Sequence, residues 1–280
     1  MVALLVAWLE MDLAGCTALL TGATGGLGRA IARSLAERGA QLVLSGRESD
    51  ALEALAAELP GQGHTAVVAD LASPGAAEAL AAEAGKIDVL VANAGLPGAG
   101  WLTEFSPEEV ARALRVNLEA PMLLARALYP AMVERGKGHL VFISSLAGKA
   151  ASPRTSIYNA TKFGLRGFAL GLRTDLGPRG VGVSLVSPGF IRDAGMFADS
   201  RAKTPPGIGT ATPGQVGAAV VKSIESDKVE VVVAPLPARA MAHLGLVSPS
   251  LAARAQSGSA GQKAAEAVAV GHAENAQDKR

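Results

Sequence analysis

The sequence predicts an α/β fold: one doubly wound domain in which a seven-stranded, mostly parallel sheet is flanked by helices. Two observations predict it. Short, continuous apolar runs recur along the chain, and such runs suit parallel strands covered on both faces. Helical stretches alternate with them, the pattern of right-handed β-α-β crossovers. The length agrees, because 280 residues suffice for one large α/β core.

The elements follow in order. Residues 1–12 read as an N-terminal extension, and the catalytic domain as 13–237. LAGCTALLT (Leu13 to Thr21) is the first strand. Gly22, Gly26 and Gly28 form a glycine-rich turn, and a helix runs from Arg29 to Arg38. Strand, glycine turn and helix are the context a dinucleotide fingerprint needs. Glycines let backbone amides approach a pyrophosphate, and a helix N-terminus favours its charge. Further strands are predicted at Gln41–Ser45, His64–Ala69 and Ile87–Ala92, with helices at about Ser49–Leu59 and Pro74–Ala84 between them. Ser106-Pro107-Glu108-Glu109 is a helix start, with serine as N-cap and proline in the first position. This helix carries Asn117. The next runs from about Pro121 to Arg135, and Pro130 inside it is expected to kink it or end it early. His139–Ser144 is the fifth strand, the helix carrying Tyr158 extends to Leu176, and Val181–Val186 is the sixth strand. Residues 190–212 break the pattern and read as a lid beyond a strand's carboxyl end, where open α/β sheets bind ligands. A helix at Pro213–Glu225 and a strand at Val229–Ala234 complete the sheet. Residues 238–280 hold a short amphipathic piece and then a tail, from Ser257, expected to be disordered and dispensable.

Composition excludes several function classes. The net charge is +1 with no basic block, so nothing favours nucleic acid as a partner. The four histidines are scattered without ligand spacing, so no metal site is expected. The single cysteine, Cys16, allows no internal disulfide and fits a reducing cytoplasm. Val2 to Leu9 is too short to span a bilayer and makes a poor signal peptide.

The chemistry concentrates between Ser145 and Lys162. Tyr158 and Lys162 stand four apart, which on a helix places them on one face. A phenol can give a proton to a reacting oxygen, and a neighbouring ammonium lowers its pKa. A serine hydroxyl at a strand end can hold the same oxygen.

Taken together, Thr21-Gly22-x-x-x-Gly26-x-Gly28, Asp70, Asn93-Ala94-Gly95, Asn117, Ser145, Tyr158-x-x-x-Lys162 and Pro188-Gly189 resemble the short-chain dehydrogenases/reductases, from about Leu13 to Ala234. The resemblance implies a Rossmann-type domain and assigns roles. Asn117, Ser145, Tyr158 and Lys162 would be catalytic: Tyr158 as general acid or base, Lys162 on the nicotinamide ribose, Ser145 on the substrate oxygen, and Asn117 positioning a relay water. Gly22, Thr24, Gly26, Leu27 and Gly28 would frame the pyrophosphate turn. Asp70 and Leu71 would meet the adenine, Asn93 would steady the central sheet, Gly95, next to Ala94, would leave room for the ribose, and Pro188, Gly189 and Ile191 would shape the nicotinamide pocket. Bland readings stay open: Asp70 as a helix cap, Asn117 as a helix-end residue, and Ser144 in place of Ser145. Asp193 departs from the family's usual threonine and puts the contacts around Ile191 and Asp193 in question unless Arg192 pairs with it.

These residues point to an oxidoreductase that moves a hydride between NADP(H) and a largely apolar ketone, 3-oxoacyl-like compound or secondary alcohol. NADP(H) is favoured over NAD(H) because Gly46 stands where an NAD-selective site carries an acid, and Arg47 follows it. Leu96, Trp101, Leu146, Phe190, Met196 and Phe197 are expected around the substrate, with Arg154 and Arg192 nearby. The alternative is a catalytically idle NADP-binding sensor or scaffold on the same fold. The resemblance also implies a homodimer or homotetramer, paired through the helices of Pro121–Arg135 and Tyr158–Leu176.

Overall fold

The computed structural model describes residues 10–202, 204, 207–258, 262 and 265–272. Seven strands form one sheet: β1 (Thr17–Thr21), β2 (Gln41–Gly46), β3 (Thr65–Val68), β4 (Val89–Ala92), β5 (Gly138–Ile143), β6 (Val181–Pro188) and β7 (Glu230–Val233). Their order is β3-β2-β1-β4-β5-β6-β7, and every pair is parallel. The direction of crossing reverses between β1 and β4, so the ends of those two strands open a crevice at the sheet's carboxyl edge. The N-terminal extension up to residue 9 lies outside the described residues. Met11 and Leu13 are buried in the core.

The strands alternate their side chains between two hydrophobic clusters. Along β1, Ala18 and Leu20 enter one cluster and Leu19 the other. The first cluster is closed by α1 (Gly26–Ala36), α2 (Ser49–Glu58) and α8 (Pro213–Glu225) through Ile31, Leu35, Leu52, Val216 and Val220. The second is closed by α3 (Ala76–Ala84), α5 (Ala120–Glu134) and α6 (Ser156–Leu176) through Leu80, Leu124, Leu128 and Leu165. Strands covered on both faces must be apolar throughout, which is why β5 and β6 are buried along their whole length.

Capping explains two helix starts. α4 (Pro107–Leu114) opens with a reciprocal box: Glu109 N donates to Ser106 Oγ at 3.2 Å and Ser106 N to Glu109 Oε2 at 2.9 Å. Thr212 and Gln215 form the same box before α8. Two expectations are corrected nearby. α4 and α5 are not separate helices, because one π turn, Arg115–Glu119, joins them. Of the two outcomes expected of Pro130, the early end is the one overturned: α5 continues to Glu134. A proline removes one donor, and α5 is held along its length by Leu124, Leu128 and Met132 in the core.

Beyond β6, α7 (Met196–Asp199) sits in the lid, whose base is pinned where Ile191 bridges Ala211. α9 (Leu236–Val247) and α10 (Pro249–Gln256) follow β7. The expectation of a disordered tail is corrected for residues 265–272, which are helical. The reason is an amphipathic spacing. Ala265, Val268, Ala269 and His272 fall on one face and are partly buried, while Glu266, Ala267 and Val270 face outward. No helix of the described residues is long and apolar enough to cross a membrane.

Candidate active site

The site is assembled at the carboxyl ends of β1, β4, β5 and β6. After β1, Gly22 has φ of 63°, and a Cβ there would come 2.9 Å from Ala94 Cα; only glycine takes both without strain. A Cβ on Gly28 would strike the Gly22 carbonyl. Gly25 stands at the N-cap of α1 with no side-chain cap, and the first turn holds no acid. The amides there are therefore free to receive an anion. Asn93 locks this turn to β4. Its Nδ2 donates to the carbonyls of Thr21 at 3.0 Å and Gly22 at 3.1 Å, and Thr21 Oγ1 accepts from the amides of Asn93 and Ala94 at 3.0 Å each.

Arg47, just past β2, is exposed and has no hydrogen bond or ion pair among the described residues. A Cβ on Gly46 would meet Leu52 Cδ2 and Thr24 Oγ1 at 3.4 Å, so Gly46 and Thr24 flank the same spot. Asp70 is exposed, and its Oδ1 accepts from Ala72 N at 3.0 Å. Leu71 is buried in the core, which leaves only its backbone for a ligand.

β5 ends at Ile143, and the next two serines part ways. Ser144 is buried and donates to the Lys162 carbonyl at 3.4 Å. Ser145 caps the short turn Leu146–Gly148, accepting from Ala147 N at 3.1 Å, and its hydroxyl is close enough to Tyr158 to favour the ionised phenol. Tyr158 and Lys162 share a face of α6. Lys162 Nζ donates to the Ile143 carbonyl at 2.9 Å and lies 5.5 Å from the centre of the Tyr158 ring. Burial pushes the Lys162 ammonium down to about 8. Burial pushes the Tyr158 phenol up to about 12, although Ser145 pulls the other way. Desolvation, not the lysine, governs the tyrosine in this enclosed site, and the lowering expected from Lys162 is not seen.

Asn117 sits in the π turn and is 1% exposed. Its Oδ1 accepts from Leu96 N at 2.7 Å, and its Nδ2 donates to the Leu96 carbonyl at 2.9 Å and to Thr161 Oγ1 at 3.4 Å. Both donors of its amide go to protein partners and its Oδ1 accepts one bond, which leaves the second lone pair and the main chain for a water.

A cavity of about 640 Å³ brings these groups together. Ser145, Tyr158, Lys162, Leu27, Pro188, Gly189 and Ile191 line it, with Leu146, Phe190, Met196 and Phe197 as expected. Leu96 and Trp101 do not belong to its wall. Leu96 serves Asn117 through its backbone, and Trp101 is 57% exposed with the Arg154 guanidinium stacked 4.7 Å above its ring. Arg192 pairs with Asp193 at 3.3 Å, and Asp193 takes a φ of 72°. Beside them the lid lies on the glycine turn: a Cβ on Gly26 would strike Ala194, and one on Gly95 would come 3.2 Å from Met196 Cε.

With this geometry in view, comparison with known proteins is direct. A family model described as short chain dehydrogenase matches residues 16–205. The chain belongs to the short-chain dehydrogenase family. It is an oxidoreductase with a Rossmann-type nucleotide-binding fold. It is 37% identical over 249 residues to the ketoacyl reductase HetN of Nostoc sp., covering 85% of this chain and 87% of that one. It is 36% identical over 272 residues to dehydrogenase/reductase SDR family member 7B of Bos taurus, covering 88% and 82%. Among solved structures, a short-chain dehydrogenase from Sphingobium yanoikuyae in complex with NADPH matches with TM-score 0.72 and 30% identity, covering 78% of this chain and 87% of that one.

Sequence reasoning missed one cluster beneath the site. Glu230 of β7 accepts from Lys149 Nζ at 2.7 Å and from Ser187 Oγ at 2.8 Å, with Arg166 Nε 3.5 Å away. It thereby ties the turn after Ser145, the strand before Pro188 and the α6 turn after Lys162. No local pattern announces a cluster drawn from four separate elements. Also missed were Ile208, Met241, Val268 and His272 on the cavity wall.

Proposed function

We propose that this protein reduces an apolar carbonyl compound with NADPH, or oxidises the matching alcohol with NADP. The observation that carries the reading is the convergence of Ser145, Tyr158 and Lys162 on one largely apolar cavity. The residues present fit a dinucleotide: glycines where a Cβ would collide, an uncapped α1 N-terminus, and an unengaged Arg47 for a 2′-phosphate. The NADPH bound by the Sphingobium relative supports the choice of nucleotide.

When bound, the nicotinamide supplies a hydride to the carbonyl carbon. Tyr158 gives its proton to the carbonyl oxygen, and a pKa of about 12 keeps that proton in place across the physiological range. Ser145 donates a hydrogen bond to the same oxygen, polarising it. Lys162 uses one N–H on Ile143 and keeps two more for the cofactor's ribose. Its positive charge stabilises the phenolate left behind. Asn117 fixes the main chain of Leu96, in the loop that follows β4, and ties it to α6 through Thr161. The apolar wall favours substrates whose non-reacting part is aliphatic or aromatic, in keeping with the ketoacyl reductase named among the relatives.

The test is a panel of ketones, 3-oxoacyl thioesters and secondary alcohols followed by NADPH absorbance. Turnover of apolar carbonyl compounds supports the reading. Tight NADPH binding with no turnover on the whole panel would replace it with an idle nucleotide binder.

A further inference from the structure

The family match ends at residue 205, yet the substrate cavity does not. Ala265, Val268 and His272 line the same cavity as Ser145 and Tyr158. They belong to the helical segment 265–272 and fall at i, i+3 and i+7 of it, one face of a helix. Three contacts seat the segment. His272 Nε2 bonds the Met196 carbonyl at 2.8 Å, on the first residue of the lid helix α7. Gly271 is buried against Ser200 at the other end of α7, and a Cβ on Gly271 would strike the Ser200 carbonyl. Glu266 pairs with Arg154 at 3.6 Å, across the loop that precedes Tyr158. The segment therefore bridges the lid and the catalytic loop, with its apolar face on the cavity. An ordinary surface helix would not need a glycine in contact with the lid backbone.

We propose that segment 265–272 is the outer wall of the substrate site and sets which apolar carbonyl compounds are accepted. Val268 limits the bulk of the group that lies away from the reacting carbonyl. Gly271 and His272 hold the lid against the segment, so lid closure and wall formation are one event. The substrate class rests on the carbonyl-reductase reading above, while the seating of the wall does not.

The experiment uses the full chain and three variants: Gly271→Val, Val268→Trp and a chain ending at Gln256. Thermal melts confirm that each is folded. Hydrogen exchange of residues 196–200 is the readout that needs no activity. Gly271→Val and the shortened chain should exchange there at least tenfold faster than the parent, because the wall no longer covers α7. The second readout is the ratio of kcat/KM for long and short ketones with NADPH. Val268→Trp should lower that ratio tenfold or more, and the shortened chain should flatten the size dependence. Unchanged exchange in both Gly271→Val and the shortened chain would overturn the seating. Faster exchange with an unaltered size profile would overturn the specificity role. A parent protein that reduces no carbonyl on the panel sinks the substrate reading, while the exchange arm still decides the wall.

Discussion

Replacing Gly46 and Arg47 separates the two nicotinamide cofactors. Gly46 closes β2, pairing with Val68, at a backbone conformation open to any residue. A Cβ there would meet its neighbours at 3.4 Å, ordinary van der Waals contact. Gly46→Asp can therefore be accommodated without rebuilding the strand, and it places a carboxylate beside Thr24 where an adenosine ribose would lie. That carboxylate can accept from two ribose hydroxyls and repels a 2′-phosphate. Arg47 has no partner to give up among the described residues, so its guanidinium can grip a phosphate without breaking a bond. Charge-assisted phosphate contacts contribute on the order of 1.5–3 kcal/mol, or about ten- to a hundredfold in Kd. Arg47→Ala should weaken NADPH by that factor and leave NADH within about twofold. Gly46→Asp should shift preference towards NADH. Fluorescence titration at one ionic strength measures both. Equal affinity of the parent for the two cofactors, or an Arg47→Ala variant that keeps its NADPH affinity, would refute the reasoning.

His139 is fully buried beside Ser184, and burial holds its pKa at about 4 against an ordinary 6.5. The unfolded chain therefore takes up a proton that the folded chain refuses. Stability should fall as pH drops from 6.5 towards 4, by about 3 kcal/mol from this group, and urea melts of the parent and His139→Gln should differ in pH slope. Arg173 holds Asp227 bidentately at 2.7 and 2.8 Å, with Asp227 1% exposed; Arg173→Ala strands that carboxylate and should cost about 3–5 kcal/mol, read by the same melts. Reduction kcat/KM should decline as pH rises through about 8, where Lys162 loses its charge; a flat profile to pH 10 would argue against that lysine. Ala160, Gly164, Gly167 and Gly171 leave an exposed face on α6 that can approach a second copy closely, so light scattering should report a dimer or tetramer at micromolar concentration rather than a monomer.

Much of the scaffold is legible in the sequence because parallel strands advertise themselves. QLVLS and VGVSLV are apolar on both faces, and the glycines after Thr21 mark a turn that side chains would block. The spacing of Ser145, Tyr158 and Lys162 carries the arrangement of the candidate site, since one strand end and one helix face meet wherever that crossover forms. Other features depend on tertiary contacts and leave no local trace. The π turn at Asn117 follows from the bonds to Leu96, 21 residues away. The Glu230 cluster joins residues up to 81 apart. The rise of the Tyr158 pKa reflects enclosure, which spacing alone does not reveal. The 265–272 helix is a different case. Its apolar face was present in Ala265, Val268 and Ala269, but alanines among polar residues read as solvated chain until the lid supplies a surface for them.

Tyr158 is the proposed proton donor in a carbonyl reduction driven by NADPH. Tyr158→Phe removes one oxygen and leaves the ring, α6 and the Lys162 bond to Ile143 in place. Its kcat with the best ketone of the panel, measured beside its NADPH dissociation constant, tests this role directly. The expected result is a fall of about 10²–10⁴-fold in kcat with cofactor affinity within about twofold of the parent. Substantial turnover by the phenylalanine variant would contradict it.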